Sequence, residues 1–292
     1  MATTAEFDER VDARRRVGLV LSAVLFVATF FGIVVLVTLL VDVVIKGAPW
    51  LSGGFLTNYP SRIPAQAGIK SAIVGSVWMI GLTAVIAVPV GVASAVYLEE
   101  YAPRHWFFRL VQINIANLAG VPSVLYGILG LALFVRLFAL ERSLLAGALT
   151  MALLILPVII IGTQEALRAL PGGLRESAYA LGATRWQVVW SHLLPGAAPG
   201  ILTAVILSLS RALGETAPLI MIGALTFIAF LPGSVMDAFT VLPIQIFNWT
   251  ARPQADFQAL AAAGIIVLLV FLLLMNLSAI LLRNHFEKSR VR

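Results

Sequence analysis

The chain has no cysteine and little charge: Asp, Glu, Lys and Arg together make up 12% of its 292 residues. Without thiols there is no disulfide framework, thiolate zinc site or cysteine nucleophile. Its three histidines, His105, His192 and His285, are scattered and lack metal-ligand spacing, so they read as surface or interfacial residues. No G-x-x-x-x-G-K-[ST] loop occurs, which excludes the usual cradle for nucleotide phosphates, and neither H-E-x-x-H nor a nucleophile elbow is present. A membrane-embedded enzyme would need convergent acid, base or metal groups at one depth, and only Arg211 and Glu215 lie deep in an apolar run.

What the chain has instead is apolar length. At 60% hydrophobic residues and a mean hydropathy of +0.99, it cannot hide its side chains in a soluble core and must use lipid as solvent. Crossing a hydrocarbon core of about 30 Å takes roughly 20 residues as helix. Six runs meet that length: Val17 to Val41, Ser71 to Leu98, Val111 to Val135, Leu144 to Gly162, a long interrupted run from Gly196 to Phe230, and Phe257 to Leu282. The first follows Arg14-Arg15-Arg16, is too long for a signal-peptide core and lacks a small-residue cleavage site, so it reads as a retained anchor. The expected fold is all-α, a polytopic membrane protein of six transmembrane helices with both termini on one side.

The basic residues orient it. Thirteen of the twenty lysines and arginines fall on the terminal side, six on the opposite side, and Arg211 inside a span. The positive-inside rule then makes both termini and residues 171–198 cytoplasmic.

That loop is polar and punctuated. Pro171-Gly172-Gly173 breaks the chain before it, Gly182 interrupts it, Thr184 with Gln187 reads as a capping box, and Pro195 closes it. The expectation is helix, turn, helix. Trp186 and Trp190, four apart, share a face as either an interfacial anchor or an apolar docking contact. Glu176-Ser177-Ala178, Gly182-Ala183 and Leu194-Pro195 together resemble the EAA loop of type I ABC importer permeases, with Ser177 in place of an alanine and His192 in place of an aliphatic residue. The resemblance implies the MetI-like permease fold, with this loop as the segment that couples to a cytoplasmic ATPase.

The second informative segment is Arg211 to Leu219. Arg211 lies 12 residues beyond Pro199, or about 18 Å at 1.5 Å per residue, near the bilayer middle. An ionised residue there costs about 2.5 to 3.5 kcal/mol, and an i, i+4 pair with Glu215 returns only about 0.2 to 0.5 kcal/mol. Either a structural pair or a water-filled path is open, and Gly214 with Pro218 favours the path by permitting an unwound turn around Glu215 and Thr216. A guanidinium in such a path suits a tetrahedral oxyanion. Asn114, Asn117, Ser123 and Tyr126, interleaved with Gly120, Gly127 and Gly130, either pack helices closely or, for Asn117, Ser123 and Tyr126, line the path, with Pro122 bending the third span. Glu99 and Glu100 read as a solvated pair near Arg104 and Arg109, or else as contacts to the loop after Pro171. Trp50, Trp106 and Trp249 mark water boundaries.

With Tyr97 to Ala102 and Asn117 to Gly127, the Arg211 to Leu219 block resembles the PstA-type permeases of phosphate-specific ABC importers. The resemblance implies an inorganic phosphate path formed with a PstC-like second permease, two copies of a PstB-like ATPase that uses ATP and Mg²⁺, and a PstS-like phosphate-binding protein. It implies no cofactor on this chain, no nucleic-acid partner, and the bacterial or archaeal cytoplasmic membrane. The chain then divides into a cytoplasmic tail (1–16), a first span (17–41), a periplasmic loop (42–70), a permease core (71–282) carrying the coupling loop (171–198) and a periplasmic loop (231–256), and a cytoplasmic tail (283–292). The loop at 42–70 would meet the binding protein or shield the entrance, and 231–256 would hold a short re-entrant or interfacial helix. The alternatives are a permease for sulfate or molybdate and a stand-alone anion transporter or channel.

Overall fold

A computed structural model describes residues 4–103, 105–224 and 227–288. Among these residues twelve α-helices follow one another: α1 (Thr4–Gly47), α2 (Gly53–Thr57), α3 (Lys70–Val96), α4 (Trp106–Ala119), α5 (Ser123–Gly130), α6 (Leu144–Arg168), α7 (Gly173–Ala180), α8 (Arg185–Val188), α9 (Leu194–Gly214), α10 (Ala217–Ile222), α11 (Leu242–Thr250) and α12 (Ala255–Lys288). Wider π-helical turns extend α3 (Tyr97–Tyr101) and α5 (Leu131–Leu137), and another joins α8 to α9 (Val189–Leu193).

Among the described residues, five helical stretches are long and apolar enough to cross a membrane, and α4 with the extended α5 makes a sixth if the pair is one span. The third span expected over 111–135 is not straight: its halves meet at 105°, because the helix stops at Ala119 and Pro122, lacking an N–H, starts a new one. Tyr126 Oη donates to the Leu118 carbonyl at 2.8 Å, tying the two arms across the bend. The fifth span expected over 196–230 also needs correction. Helix α9 ends at Gly214, α10 ends at Gly223 with φ of 91°, and the described residues from 227 to 241 are non-helical. A left-handed residue there stops the helix, and a side chain in place of Gly223 would also meet Arg142.

Helix α6 is the hub, with 67% of its apolar stretch buried, against 0% for α1 and 6% for α12. Small residues let it be approached closely. Gly162 of α6 faces Ala204 of α9, and Gly200 of α9 faces Ala166 of α6, so each helix carries a Gly-x-x-x-Ala pair and the two run antiparallel. In lipid, where helix association gains nothing from the hydrophobic effect, such contacts supply the packing. Gly91 of α3 similarly meets Ile159 of α6. Around this hub, Met79, Phe134, Met151, Ile155, Leu219 and Phe239 form the central core.

A second core contains Phe55, Ile69, Trp249 and Phe257. Helix α11 is the short helix expected in 231–256, and it is held inside protein: Leu242, Pro243, Ile244, Gln245 and Trp249 are buried, and the Leu242 N–H donates to Ser76 Oγ at 2.9 Å. Trp249 is therefore not a boundary marker. Its ring is 1% exposed and lies 5.9 Å from that of Phe55. By contrast α1 touches the rest near its end, where Gly47 lies against the backbone of Ala262 and Ala263, and its apolar face from Val17 to Val41 is left to lipid or another chain.

The antiparallel glycine contact gives a direct test. Gly162→Leu should force α6 from α9 and destabilise the fold by about 1 to 3 kcal/mol. Thermal unfolding of the detergent-solubilised chain should show a lower midpoint, whereas Gly81→Leu, where the added side chain meets open space, should be near neutral.

Candidate functional site

Two groups of residues stand out, one at each end of a single helical rod. From Arg185 to Gly214 the chain is one uninterrupted stretch of 30 residues, about 45 Å at 1.5 Å per residue. Pro195 does not close the loop helix as its sequence position suggests. It falls in the first turn of α9, just after the wide π turn, which leaves room for a ring that would otherwise press on the preceding turn.

At the inner end of the rod, the helix gives out as Gly214 and Pro218 suggest. Glu215 is extended (φ −77°, ψ 126°), Thr216 precedes α10 without a side-chain cap, and Pro218 enters the first turn of α10, where no N–H is needed. Arg211 Nε approaches Glu215 Oε1 to 3.6 Å, an ion pair too long for a hydrogen bond. The arginine side chain is 47% exposed and the glutamate 19%. The arginine is thus left about half open at the end of the rod, while the glutamate beyond it is mostly covered by the chain.

Helix α5 positions the break. A Cβ on Gly127 would sit 2.7 Å from Pro218 Cα, so α10 lies directly on α5. Tyr126 is buried and its hydroxyl proton is committed to Leu118, so it acts in the structure as the staple of the bend. Asn117 is exposed at the end of α4 and Ser123 half-buried at the start of α5; among the described residues neither side chain hydrogen-bonds to the rest of the chain. The structure thus sets Arg211, Glu215 and Thr216 at the helix break, and Tyr126, Ser123 and Asn117 around the bend between α4 and α5, the helix on which α10 packs.

At the other end, the loop folds as helix, turn, helix. Gly182 has φ of 84°, a conformation costly for other residues, and reverses the chain after α7. The capping box is complete: Thr184 N–H donates to Gln187 Oε1 at 2.8 Å, and Gln187 N–H to Thr184 Oγ1 at 3.4 Å. Ala178, Val188, Val189 and Leu193 turn inward onto Leu167, Ala197 and Ile201. Glu176, Ser177 and Gly182 face outward, Ala183 and Leu194 are partly covered, and Pro195 is exposed. The outer surface is markedly apolar: Leu181 is 89% exposed, and the Trp186 and Trp190 rings stack in parallel at 5.5 Å, both more than half exposed. Leu181 was not singled out by spacing; only its place beside the helix-breaking Gly182 hints at an exposed apolar tip.

The loop is also latched to the spans. Glu99 accepts from Arg168 Nε at 2.9 Å and lies 2.7 Å from its Nη2, and Glu100 accepts from Arg175 Nη2 at 2.7 Å. Arg175 donates as well to the Leu167 carbonyl at 3.1 Å. This corrects the reading of the two glutamates as a solvated pair. They sit on the π turn that ends α3, whose widened path presents Glu99 to Arg168 at the end of α6 and Glu100 to Arg175 of α7, so the contact to the loop after Pro171 is made by Glu100 and Glu99 is paired to the neighbouring span. Arg104, named with them, lies outside the described residues, as do Arg290 and Arg292.

Comparison with known proteins agrees with this geometry. Residues 87–292 match the family described as the binding-protein-dependent transport system inner membrane component. The chain is 32% identical to the probable ABC transporter permease protein YqgI of Bacillus subtilis, covering 84% of this chain and 87% of that one. It is also 32% identical to the phosphate transport system permease protein PstA of Yersinia pestis, over 99% and 97% of the two chains. A chain from the crystal structure of a bacterial ABC transporter involved in the import of the acidic polysaccharide alginate superposes with a TM-score of 0.68 at 18% identity, covering 94% of this chain and 99% of that one. With apolar spans, an outward-facing loop helix pair and a broken helix at one rod's end, this chain belongs to the family of binding-protein-dependent transport system inner membrane components, the ABC importer permeases.

Proposed function

We propose that this chain is the PstA-type half of an inorganic phosphate importer, with its path between the Arg211 face and a second, PstC-like permease. The observation that carries the mechanism is the rod from Arg185 to Gly214, which has stacked tryptophans at one end and a half-exposed arginine at the other. Relatives named for phosphate transport support the cargo, and the guanidinium supports it chemically, since its paired donors match two oxygens of a tetrahedral anion.

The excess of arginine and lysine on the loop side supports a cytosolic placement of that side and of both termini. There Leu181, Trp186 and Trp190 offer an apolar surface to a PstB-like ATPase, two copies of which serve the permease pair. Hydrolysis of ATP with Mg²⁺ belongs to that partner. A PstS-like protein delivers phosphate to the opposite face. Closure of the ATPases displaces α7 and α8; Glu100–Arg175 carries the displacement into α3, Arg168–Glu99 joins α3 to α6, and the rod carries it to the break after Gly214. Glu215 neutralises Arg211 when the path is empty and yields it when an anion arrives. The loose 3.6 Å pairing suits that exchange, because little is lost when it opens. Asn117 and Ser123, with side chains free of partners in this chain, serve as further polar lining. A permease for sulfate or molybdate is the second reading, and the relatives named for phosphate weigh against it.

Proteoliposomes holding the co-expressed complex and its binding protein should take up labelled phosphate in an ATP-dependent way. Arg211→Gln should reduce uptake at least tenfold, a loss of about 1.4 kcal/mol of transition-state stabilisation, while ATP hydrolysis persists. Normal uptake by that variant would remove the anion path from this face. Competition by sulfate equal to that by phosphate would favour the second reading.

The latch has its own test. Glu100→Gln should leave the ATPase bound yet lower phosphate uptake per ATP hydrolysed, and hydrogen exchange over residues 173–180 should quicken as Arg175 loses its partner. An unchanged transport-to-hydrolysis ratio would confine the pair to a static role.

A further inference from the structure

An open cleft of about 540 Å³ lies at the loop end of the bundle, away from the Arg211 face, between the π turn that ends α3 and the start of α4. Glu99, His105, Trp106, Arg109, Gln112 and Arg168 line it. Its charges do not cancel. Glu99 is taken up by Arg168, whereas Arg109 has no ion pair and no side-chain hydrogen bond among the described residues. His105 Nδ1 accepts the Phe107 N–H at 3.3 Å, which leaves the ring proton on Nε2 as a donor. The cleft therefore presents a free guanidinium, an imidazole N–H and an amide, a set suited to a phosphodiester.

The surroundings choose between a free phosphate and a lipid headgroup. Trp106, Leu110 and Ile113 follow one another at i, i+4 and i+7, on one face of α4, and all three are exposed, as is Phe107. This apolar row starts at the cleft and runs along the exposed face of α4, where it can seat an acyl chain. A soluble anion would gain nothing from it. Trp106 also has the place expected of an aromatic anchor at the headgroup level.

We propose that this cleft binds the headgroup of an anionic phospholipid, with Arg109 on the phosphate and the Trp106–Ile113 face of α4 along an acyl chain. The proposal is independent of the cargo and of the ATPase contact. It makes the permease sensitive to the lipid beside the coupling end, since Glu99 and Arg168, which join α3 to α6, form one wall of the same cleft.

Native mass spectrometry of the full-length chain in detergent, titrated with phosphatidylglycerol or with phosphatidylcholine of the same acyl chains, reads this directly. Phosphatidylglycerol should be retained preferentially, and Arg109→Gln should weaken that retention about fivefold, the contribution of one cation near an anionic headgroup. Arg109→Lys should keep the preference, and Arg136→Gln, at an exposed arginine outside the cleft, should match wild type. Millimolar inorganic phosphate should leave the bound lipid in place. Equal retention of the two lipids, retention by Arg109→Gln equal to wild type, or displacement by free phosphate would each overturn the proposal, the last by assigning the cleft to a soluble anion.

Discussion

An arginine cannot be left facing hydrocarbon, and the arrangement around Arg211 follows from that constraint. Insertion of such a residue at a helix centre costs about 2.5 to 3.5 kcal/mol, which a single loose contact with Glu215 does not return. The chain answers in part by ending the helix one turn later, so that Glu215 stands in extended backbone beside the guanidinium. Helix α10 then stacks on α5 through Gly127, and Tyr126 holds α5 to α4 across a sharp bend. Even so, nearly half of the arginine side chain remains uncovered. The fold is therefore incomplete on this face, and only protein or water, not lipid, can complete it.

Packing and charge divide the labour along the molecule. Within the membrane the contacts are between glycine, alanine and aliphatic side chains, which interlock closely and leave few intermediate arrangements. At the loop end they are ion pairs, Glu99–Arg168 and Glu100–Arg175, which link three elements and tolerate reorientation. Rigid helices joined by such pairs move as bodies rather than bending. The continuous helix from Arg185 to Gly214 extends that rigidity from the exposed tryptophans to the break.

Features set by neighbouring residues were the ones legible in the sequence. The capping box needs only Thr184 and Gln187, the reversal after α7 only Gly182, and the unwound turn only Gly214 and Pro218 within one long apolar run. Long-range partners left no such mark. Glu99 and Arg168 are 69 residues apart, and nothing local distinguishes a carboxylate that will be paired from one that will be solvated. Trp249 escapes local reading for a related reason: a tryptophan at the end of a loop looks like a boundary anchor, and only the inward fold of α11 against Phe55 buries it. The 105° bend at Pro122 was legible as a kink but not in size, because proline fixes where a helix stops and the tyrosine staple eight residues from its acceptor fixes the angle.

On the transport reading, the weakness of the Arg211–Glu215 contact is as informative as its presence. A short, two-pronged bridge would hold the arginine in its own chain and tax every arriving anion with the cost of breaking it. At 3.6 Å, with one nitrogen facing one oxygen, the pair lowers the cost of an empty path while leaving the terminal guanidinium donors free. An oxyanion that offers two oxygens then exchanges a poor contact for a bidentate one, and Glu215 repels it once it has passed. Tight binding would slow release, so selection belongs to the binding protein outside and the membrane arginine need only be weakly satisfied. The geometry fits a residue that is traversed rather than occupied.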